Sequence, residues 1–544
     1  MATKAHLPIS EIGLATPKLF TRIRTTIESA FYQNNVIPVL DVSQAYDLAK
    51  NAPGTIITSQ KVERAEELGL PSDAKVLLFN DGNITGRQAR LRRLVNKENE
   101  DQFASLLRDV EFATHRKKLY HAQVYVGLDK EFMVKAHLLI PEGYENLLYN
   151  WVLNFQIVDE KTTRMYNDSV LLDEGDIYIL SDPDQYPPQF PEGLALFEEK
   201  SNCACLLGMK YFGEHKKGTL TLAWSIAQRN GYTACHGGQK QFHLGKDKDK
   251  VIGVFGLSGS GKSTITLSDH NQKFDITVLH DDAFIISNKD ASSISLEPSY
   301  FDKTQDYPLT NPQSKYFLTI QNCGVTTDQN NNIVPVTQDI RNGNGRTVKS
   351  KFATPKRAYR FEKSCDAIFW IMKDSSLPPV IKIKSPALAS VMGATLATKR
   401  TTAEYIKGED PNKLVIVPYA NPFRLYPLAQ DYYKFKDLFQ NRKVECYIIN
   451  TGFFLNKKIT PQVTLGLIED IITMNTEFIP FGPYSELEYA PINGFDVDFD
   501  NCEYGKMVKD RMMDRLEFIQ NNDEIDKLPE EAIQALKNTI QQAK

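Results

Sequence analysis

Gly256-Leu257-Ser258-Gly259-Ser260-Gly261-Lys262-Ser263-Thr264 is the stretch around which the rest of this chain is read. It fits the phosphate-cradling pattern G-x-x-x-x-G-K-[ST]. Ahead of it, Val251-Ile252-Gly253-Val254-Phe255 is an apolar, β-branched run suited to a buried strand. Behind it, Lys262-Ser263-Thr264-Ile265 is placed to open a helix. The glycines let the backbone turn tightly, so that successive N–H groups point at phosphate oxygens, and the helix N-terminus adds its positive dipole end. In this arrangement Lys262 reaches the β- and γ-phosphates and the Ser263 hydroxyl ligates Mg²⁺.

The chain around this loop has 544 residues, too many for one ordinary core, so two or three domains are expected. Its hydrophobic share of 42% and charged share of 24% are those of a globular protein. A formal charge of −4 argues against a nucleic-acid partner, which calls for a basic footprint. The Arg90-Leu91-Arg92-Arg93 cluster reads as a solvated face or an anion site. There is no run of 18 apolar residues and no signal-peptide core at the N-terminus, so no membrane partner is expected. Seven sparse cysteines suggest reduced thiols and a cytoplasmic location.

Along the chain, a first helix is expected from a Thr16 cap and Pro17, with Leu19, Phe20, Ile23, Ile27 and Phe31 at helical spacing. Strands are predicted at 36–40, 75–79, 122–126, 133–140 and 177–180. Residues 211–218 read as a compact polar turn that leads into an apolar segment, 220–226. After the loop, 277–282 is predicted to be a strand ending in the carboxylates Asp281 and Asp282. The Asn- and Gly-rich region 328–346 reads as a surface excursion. Residues 367–372 and 444–450 look like buried strands, and 529–540 like a closing helix. Together these predict two mixed α/β domains, residues 1–235 and 236–544, the second a mononucleotide-binding domain.

Three features narrow the chemistry beyond a nucleoside triphosphate. Asp281 and Asp282 follow Lys262 by nineteen and twenty residues, where nucleotide-binding folds place the acid that holds Mg²⁺ or its waters. His236, set between small residues just ahead of the nucleotide strand, is placed to reach a metal. Arg87, Lys217 and Arg346, from distant segments, could together hold a small dianionic acid. Lys216 reads as a solvated or anion-facing neighbour.

The order of segments resembles the ATP-dependent phosphoenolpyruvate carboxykinase family from about residue 80 to 470. The resemblance is carried by Thr85-Gly86-Arg87, 125–129, 211–218, the His236 segment, the phosphate loop with Asp281-Asp282, Leu296-Glu297 with Lys303, Gly345-Arg346, 377–380, and 450–453. It implies an active site in the cleft between the domains. Arg87 would hold a carboxylate of oxaloacetate beside Tyr211, and Arg346 would lie between the transferred phosphoryl group and the substrate. Mn²⁺ would be held by Lys217, His236 and Asp282. Ser258, Lys262 and Ser263, with Gly259, Ser260, Gly261 and Thr264 of the same loop, would serve the phosphates of ATP or ADP and Mg²⁺, with Lys303 nearby. Adenine contacts would fall to Lys458, Ile459 and Thr464, and a mobile lid to residues 385–400.

The expected activity is reversible conversion of oxaloacetate and ATP to phosphoenolpyruvate, CO₂ and ADP by a carboxy-lyase, working as a monomer or small homo-oligomer. Two rivals stand beside it: another small-molecule or protein kinase on the same nucleotide core, and a nucleotide-binding relative with little catalysis. Departures from the family motivate the second rival. Ala283-Phe284-Ile285 follows the Asp pair, His280 replaces a glycine, and Lys458 stands in place of an arginine.

Overall fold

The apolar run ahead of the phosphate loop forms the strand Lys250–Phe255, buried from Val251 onward. The computed structural model describes residues 2–13, 18–82, 91–245, 248–257, 259–338, 345–399 and 414–542. The strand pairs in parallel with Ala367–Met372, which in turn pairs in parallel with Glu445–Asn450. Antiparallel strands extend the sheet on both sides, Gly238–His243 next to Lys250–Phe255 and Val380–Ile383 next to Glu445–Asn450. A parallel centre covered on both faces explains why the central runs are continuously apolar rather than alternating.

Alternation along Ala367–Met372 shows the two covers. Ile368, Trp370 and Met372 face a core shared with Leu388, Phe435, Val508 and Leu536, contributed by the helices Pro386–Ala394, Leu428–Asn441, Cys502–Gln520 and Glu530–Gln542. Ala367, Phe369 and Ile371 face the opposite core, with Ile265 of the loop helix and Leu467, Ile468 and Ile471 of the helix Pro461–Ile472. The period of two along a strand sends alternate side chains into separate layers. The architecture is mixed α/β.

The chain divides into two compact units, Met1–Ile226 with Leu296–Pro355, and Ala227–Ser295 with Lys356–Lys544. Residues 296–355 thus depart from a single division at residue 235. Pairing is the physical reason. Within the first unit, Tyr300–Lys303 pairs with Arg346–Lys349, which pairs with Phe317–Gln321, and that strand lies parallel to Lys75–Phe79. A larger sheet in the same unit runs through Val36–Val39, Leu119–Asp129, Phe132–Pro141 and Ile177–Asp182 to Cys203–Leu207.

Several sequence expectations are corrected. Residues 212–218 are not a turn but the opening of the helix Phe212–Arg229. Gly213, which suggested a turn, is there for space, since a Cβ would lie 2.2 Å from Cε1 of Tyr211. Lys216, expected to be solvated or anion-facing, is buried and faces the Glu297 carboxylate at 2.9 Å. Within the stretch expected as a lid, Pro386–Ala394 is a helix buried from Leu388 to Ala394, and its small residues serve close packing. Residues 400–413 lie outside the described residues. Thr16 and Pro17 also lie outside them, and the first long helix is Arg22–Ser29, where the Thr21 side chain accepts from the Arg24 N–H. Part of the expected excursion is ordered as a hairpin, Gly324–Thr327 with Ile333–Val336.

Candidate functional site

In the second unit the loop leaves Phe255 and ends where the helix Lys262–Leu267 begins, with Gly261 as its N-cap residue. Gly259 and Gly261 have φ of 74° and 102°, the left-handed region that admits glycine without steric cost. The loop is braced from outside. Thr451 Oγ1 donates to the Ser260 carbonyl at 2.7 Å, and Lys373 Nζ donates to the Gly259 carbonyl at 2.8 Å. Gly256 leaves room for Ser260, because a Cβ there would lie 2.3 Å from Ser260 Oγ. That hydroxyl is buried with no hydrogen-bond partner among the described residues. Ser263 and Thr264 are exposed at the helix start, and Ser258 lies outside the described residues. An unpartnered hydroxyl, a positive helix end and exposed hydroxyls fit a nucleotide's phosphates.

Lys262 is buried, and its ammonium donates to Asp282 Oδ1 at 3.1 Å. The same oxygen lies 3.0 Å from Nε2 of His236, the last residue of the strand Tyr232–His236. His236 Nδ1 meets the Ala420 carbonyl, which can only accept, so Nδ1 carries the proton. In neutral imidazole Nε2 then holds a lone pair facing a carboxylate oxygen. A proton or a cation has to lie between two such acceptors. One imidazole nitrogen beside one carboxylate is a donor set that fits a divalent transition metal. The carbonyl comes from an unusual turn, in which Tyr419 and Ala420 have φ of 51° and 54°. Left-handed backbone at non-glycine residues costs about 1–2 kcal/mol each and is concentrated at functional sites. The Phe423 ring meets the imidazole edge-on, 5.3 Å between centroids.

Asp282 is held from behind by a residue that sequence reasoning noted only as a departure. His280, fully buried at the end of Asp275–His280, accepts the backbone N–H groups of Asp282 and Ala283 at Nδ1. Behind the loop helix, buried Lys240 donates to the carbonyls of Ile265 and Ser268 at its C-terminal end. It donates also to His270 Nε2 at 2.7 Å, and His270 Nδ1 donates to Glu469 at 2.9 Å. Burial pushes Lys240 down to about 7, and Glu469 and Asp269 oppose the shift. Burial likewise pushes His270 down, to about 4.

The residues expected at the adenine sit in three different local settings. Lys458 is exposed on a short hairpin, Phe453–Phe454 with Lys457–Lys458. The Ile459 side chain is in the core, and its N–H donates to the Gly452 carbonyl at 3.0 Å. Thr464 is buried within Pro461–Ile472.

In the first unit, Arg346 opens its strand opposite Lys303 on one neighbour and Gln321 on the other. Directly opposed residues share a sheet face, so Lys303 and Arg346 form a cationic row. Phe301, on the same face by alternation, meets the rings of Tyr211 and Phe212 at 6.1 and 5.1 Å. Burial raises the Tyr211 hydroxyl's pKa, and the adjacent Arg346 guanidinium opposes the rise. Lys217, half-buried on Phe212–Arg229, lies over the Trp224 ring at 5.7 Å. Burial raises Glu214, one turn earlier, while Arg92 and Lys217 pull it back down. Arg87 lies outside the described residues. Tyr211, Lys303 and Arg346 are therefore brought together in this unit. Among the missed residues, Gln321 carries no motif, and Thr451 sits in a quoted segment without an assigned role.

Among the described residues no helix is long and apolar enough to cross a membrane. Among the described residues no three His, Cys, Asp or Glu side chains form a metal cluster. The profile of the family described as phosphoenolpyruvate carboxykinase matches residues 47–482. An Aeropyrum pernix protein named phosphoenolpyruvate carboxykinase (ATP) is 26% identical over 353 residues, spanning 61% of this chain and 70% of that protein. Glycosomal phosphoenolpyruvate carboxykinases (ATP) of Trypanosoma cruzi and Trypanosoma brucei brucei are each 26% identical, over 175 and 233 residues. Those matches span 32% and 40% of this chain, and 36% and 47% of the two relatives.

Proposed function

We infer, because the chain belongs to the ATP-dependent phosphoenolpyruvate carboxykinase family, that it converts oxaloacetate and ATP reversibly to phosphoenolpyruvate, CO₂ and ADP. The observation that supports this most is the meeting of Lys262 and His236 on one oxygen of Asp282 beside the phosphate loop.

Loss of CO₂ breaks the bond between the departing carboxylate and the methylene carbon, and the electron pair passes to the enolate oxygen of pyruvate. That oxygen attacks the γ-phosphorus of ATP while the bond to the β–γ bridging oxygen breaks, leaving ADP. Neither step requires a strong protein base, but both move negative charge, and fixed cations stabilise it. Lys262 is assigned to the transferred phosphoryl group, and Gly259, Ser260, Gly261 and Thr264 of the loop to the nucleotide. Tyr211 and Arg346 are assigned to the acid together with Arg87, and Lys303 to the phosphates. Ser263 is proposed for Mg²⁺, and His236, Asp282 and Lys217 for Mn²⁺. When bound, such cations supply further charge neutralisation. A cytoplasmic location belongs to the same proposal, supported by seven free cysteines, six of them buried.

The test is a coupled assay with oxaloacetate, Mn²⁺ and either ATP or GTP, measuring phosphoenolpyruvate. Product formed with ATP is the expected result. ATP turnover independent of oxaloacetate, or nucleotide binding without turnover of the acid, overturns the assignment.

A further inference from the structure

Gln321 is fully buried, and neither its amide nitrogen nor its amide oxygen has a hydrogen-bond partner among the described residues. Buried amides are nearly always paired, because desolvating one without a partner is costly. Its place in the sheet gives the reason. Gln321 ends the strand Phe317–Gln321 and is directly opposed to Arg346, which is directly opposed to Lys303 on its other side. The three side chains therefore project from one face in a row. This is the face on which Phe301 meets Tyr211, and Tyr211 meets Arg346.

We propose that Gln321 is a further substrate-contacting residue, whose carboxamide hydrogen-bonds a carboxylate or carbonyl oxygen of the four-carbon acid beside Arg346. This rests on the dicarboxylate reading of the site. The residue type fits the task. A neutral amide adds a donor beside two cations without consuming their charge. A glutamate at the same place would pair with Arg346 and Lys303 and compete with the acid. The unpartnered amide is then a ligand contact left open in the free protein.

Two variants of the full-length chain test this, Gln321→Leu and Gln321→Glu, using oxaloacetate as the probe in both turnover and binding. Gln321→Leu removes an unsatisfied amide at similar volume, so the free protein's Tm should hold or rise. Its KM for oxaloacetate should increase ten- to hundredfold, as for loss of a hydrogen bond to a charged group, with ATP affinity unchanged. In Gln321→Glu the oxaloacetate-induced rise in Tm should vanish while the free protein remains folded. A structural role predicts the reverse: a lowered Tm for Gln321→Leu with unchanged oxaloacetate affinity, and that result overturns the proposal. A wild-type protein that neither binds nor turns over oxaloacetate overturns the functional reading itself. A wild type that binds it, beside variants that bind it equally well, overturns only the role of Gln321.

Discussion

His280 accepts the backbone N–H of Asp282 at Nδ1, 3.0 Å away. The same nitrogen accepts from Ala283 at 3.2 Å, so the imidazole holds the turn that aims the Asp282 carboxylate at Lys262 and His236. His280→Leu removes the side-chain acceptor shared by these two N–H groups and frees the turn. Turnover should fall at least about tenfold and Mn²⁺ binding should weaken. His280→Asn should recover much of both, because an asparagine oxygen accepts from the N–H two and three residues on. Equal Mn²⁺ titrations for His280→Leu and wild type would show that the turn holds itself.

Lys262 neutralises Asp282 in the free protein and is assigned to the phosphoryl group during turnover. Lys262→Ala should lower kcat by at least about a hundredfold, roughly 3 kcal/mol of transition-state stabilisation. Steady-state kinetics at saturating ATP decide it. Near-wild-type kcat would remove Lys262 from the mechanism.

Lys240 makes stability depend on pH. Its folded pKa, pushed to about 7 by burial, lies below the ordinary 10.5 that it regains on unfolding. Between these values the unfolded chain binds a proton that the folded chain has shed, so stability rises with pH across this window, by at most about 1.4 kcal/mol per pH unit. Below pH 7 both states are protonated and the burial penalty is present in full. In Lys240→Met this contribution disappears. Chemical denaturation of both proteins at pH 7, 8 and 9 should show wild-type stability gaining on the variant. A constant difference rules out the depressed pKa.

Gly393, in the buried helix Pro386–Ala394, has no room for a methyl group. A Cβ would lie 2.7 Å from Trp370 Cζ2 and 2.8 Å from Tyr419 Cε1. Replacing a helical glycine by alanine ordinarily stabilises by up to about 1 kcal/mol. Here overpacking should prevail, costing about 1–3 kcal/mol. Tyr419 precedes the residue whose carbonyl orients His236, so Mn²⁺ affinity should fall as well. Urea denaturation and Mn²⁺ titration of Gly393→Ala check both effects, and a stabilised variant refutes the packing argument.

What could be read from the sequence was local. The strands Lys250–Phe255 and Ala367–Met372 and the helix Glu530–Gln542 lie close to where composition and periodicity put them. Each carries its own signal within a few residues. Gly213 misled, because a glycine chosen for space looks the same in sequence as one chosen for a turn. The site residues that escaped notice act through pairing partners far away in the chain. Gln321 gains its meaning only from lying opposite Arg346, and Ala420 from a left-handed backbone that no alanine advertises. Fixing the His236 tautomer requires a carbonyl 184 residues away.

The return of residues 296–355 to the first unit bears on how the chain is made. During synthesis, Ile56–Lys61 and Lys75–Phe79 emerge early, yet their sheet must wait for Tyr300–Lys303, Phe317–Gln321 and Arg346–Lys349. Until Phe317–Gln321 has left the ribosome, the edge of Lys75–Phe79 that later pairs with it lacks its neighbour, and an open edge is where a nascent chain is most exposed to mispairing. A fragment ending at residue 226 would therefore lack Lys303, Gln321 and Arg346 and also the three strands that complete that sheet. The face that carries Lys303, Gln321 and Arg346 is built last, by the second visit of the chain.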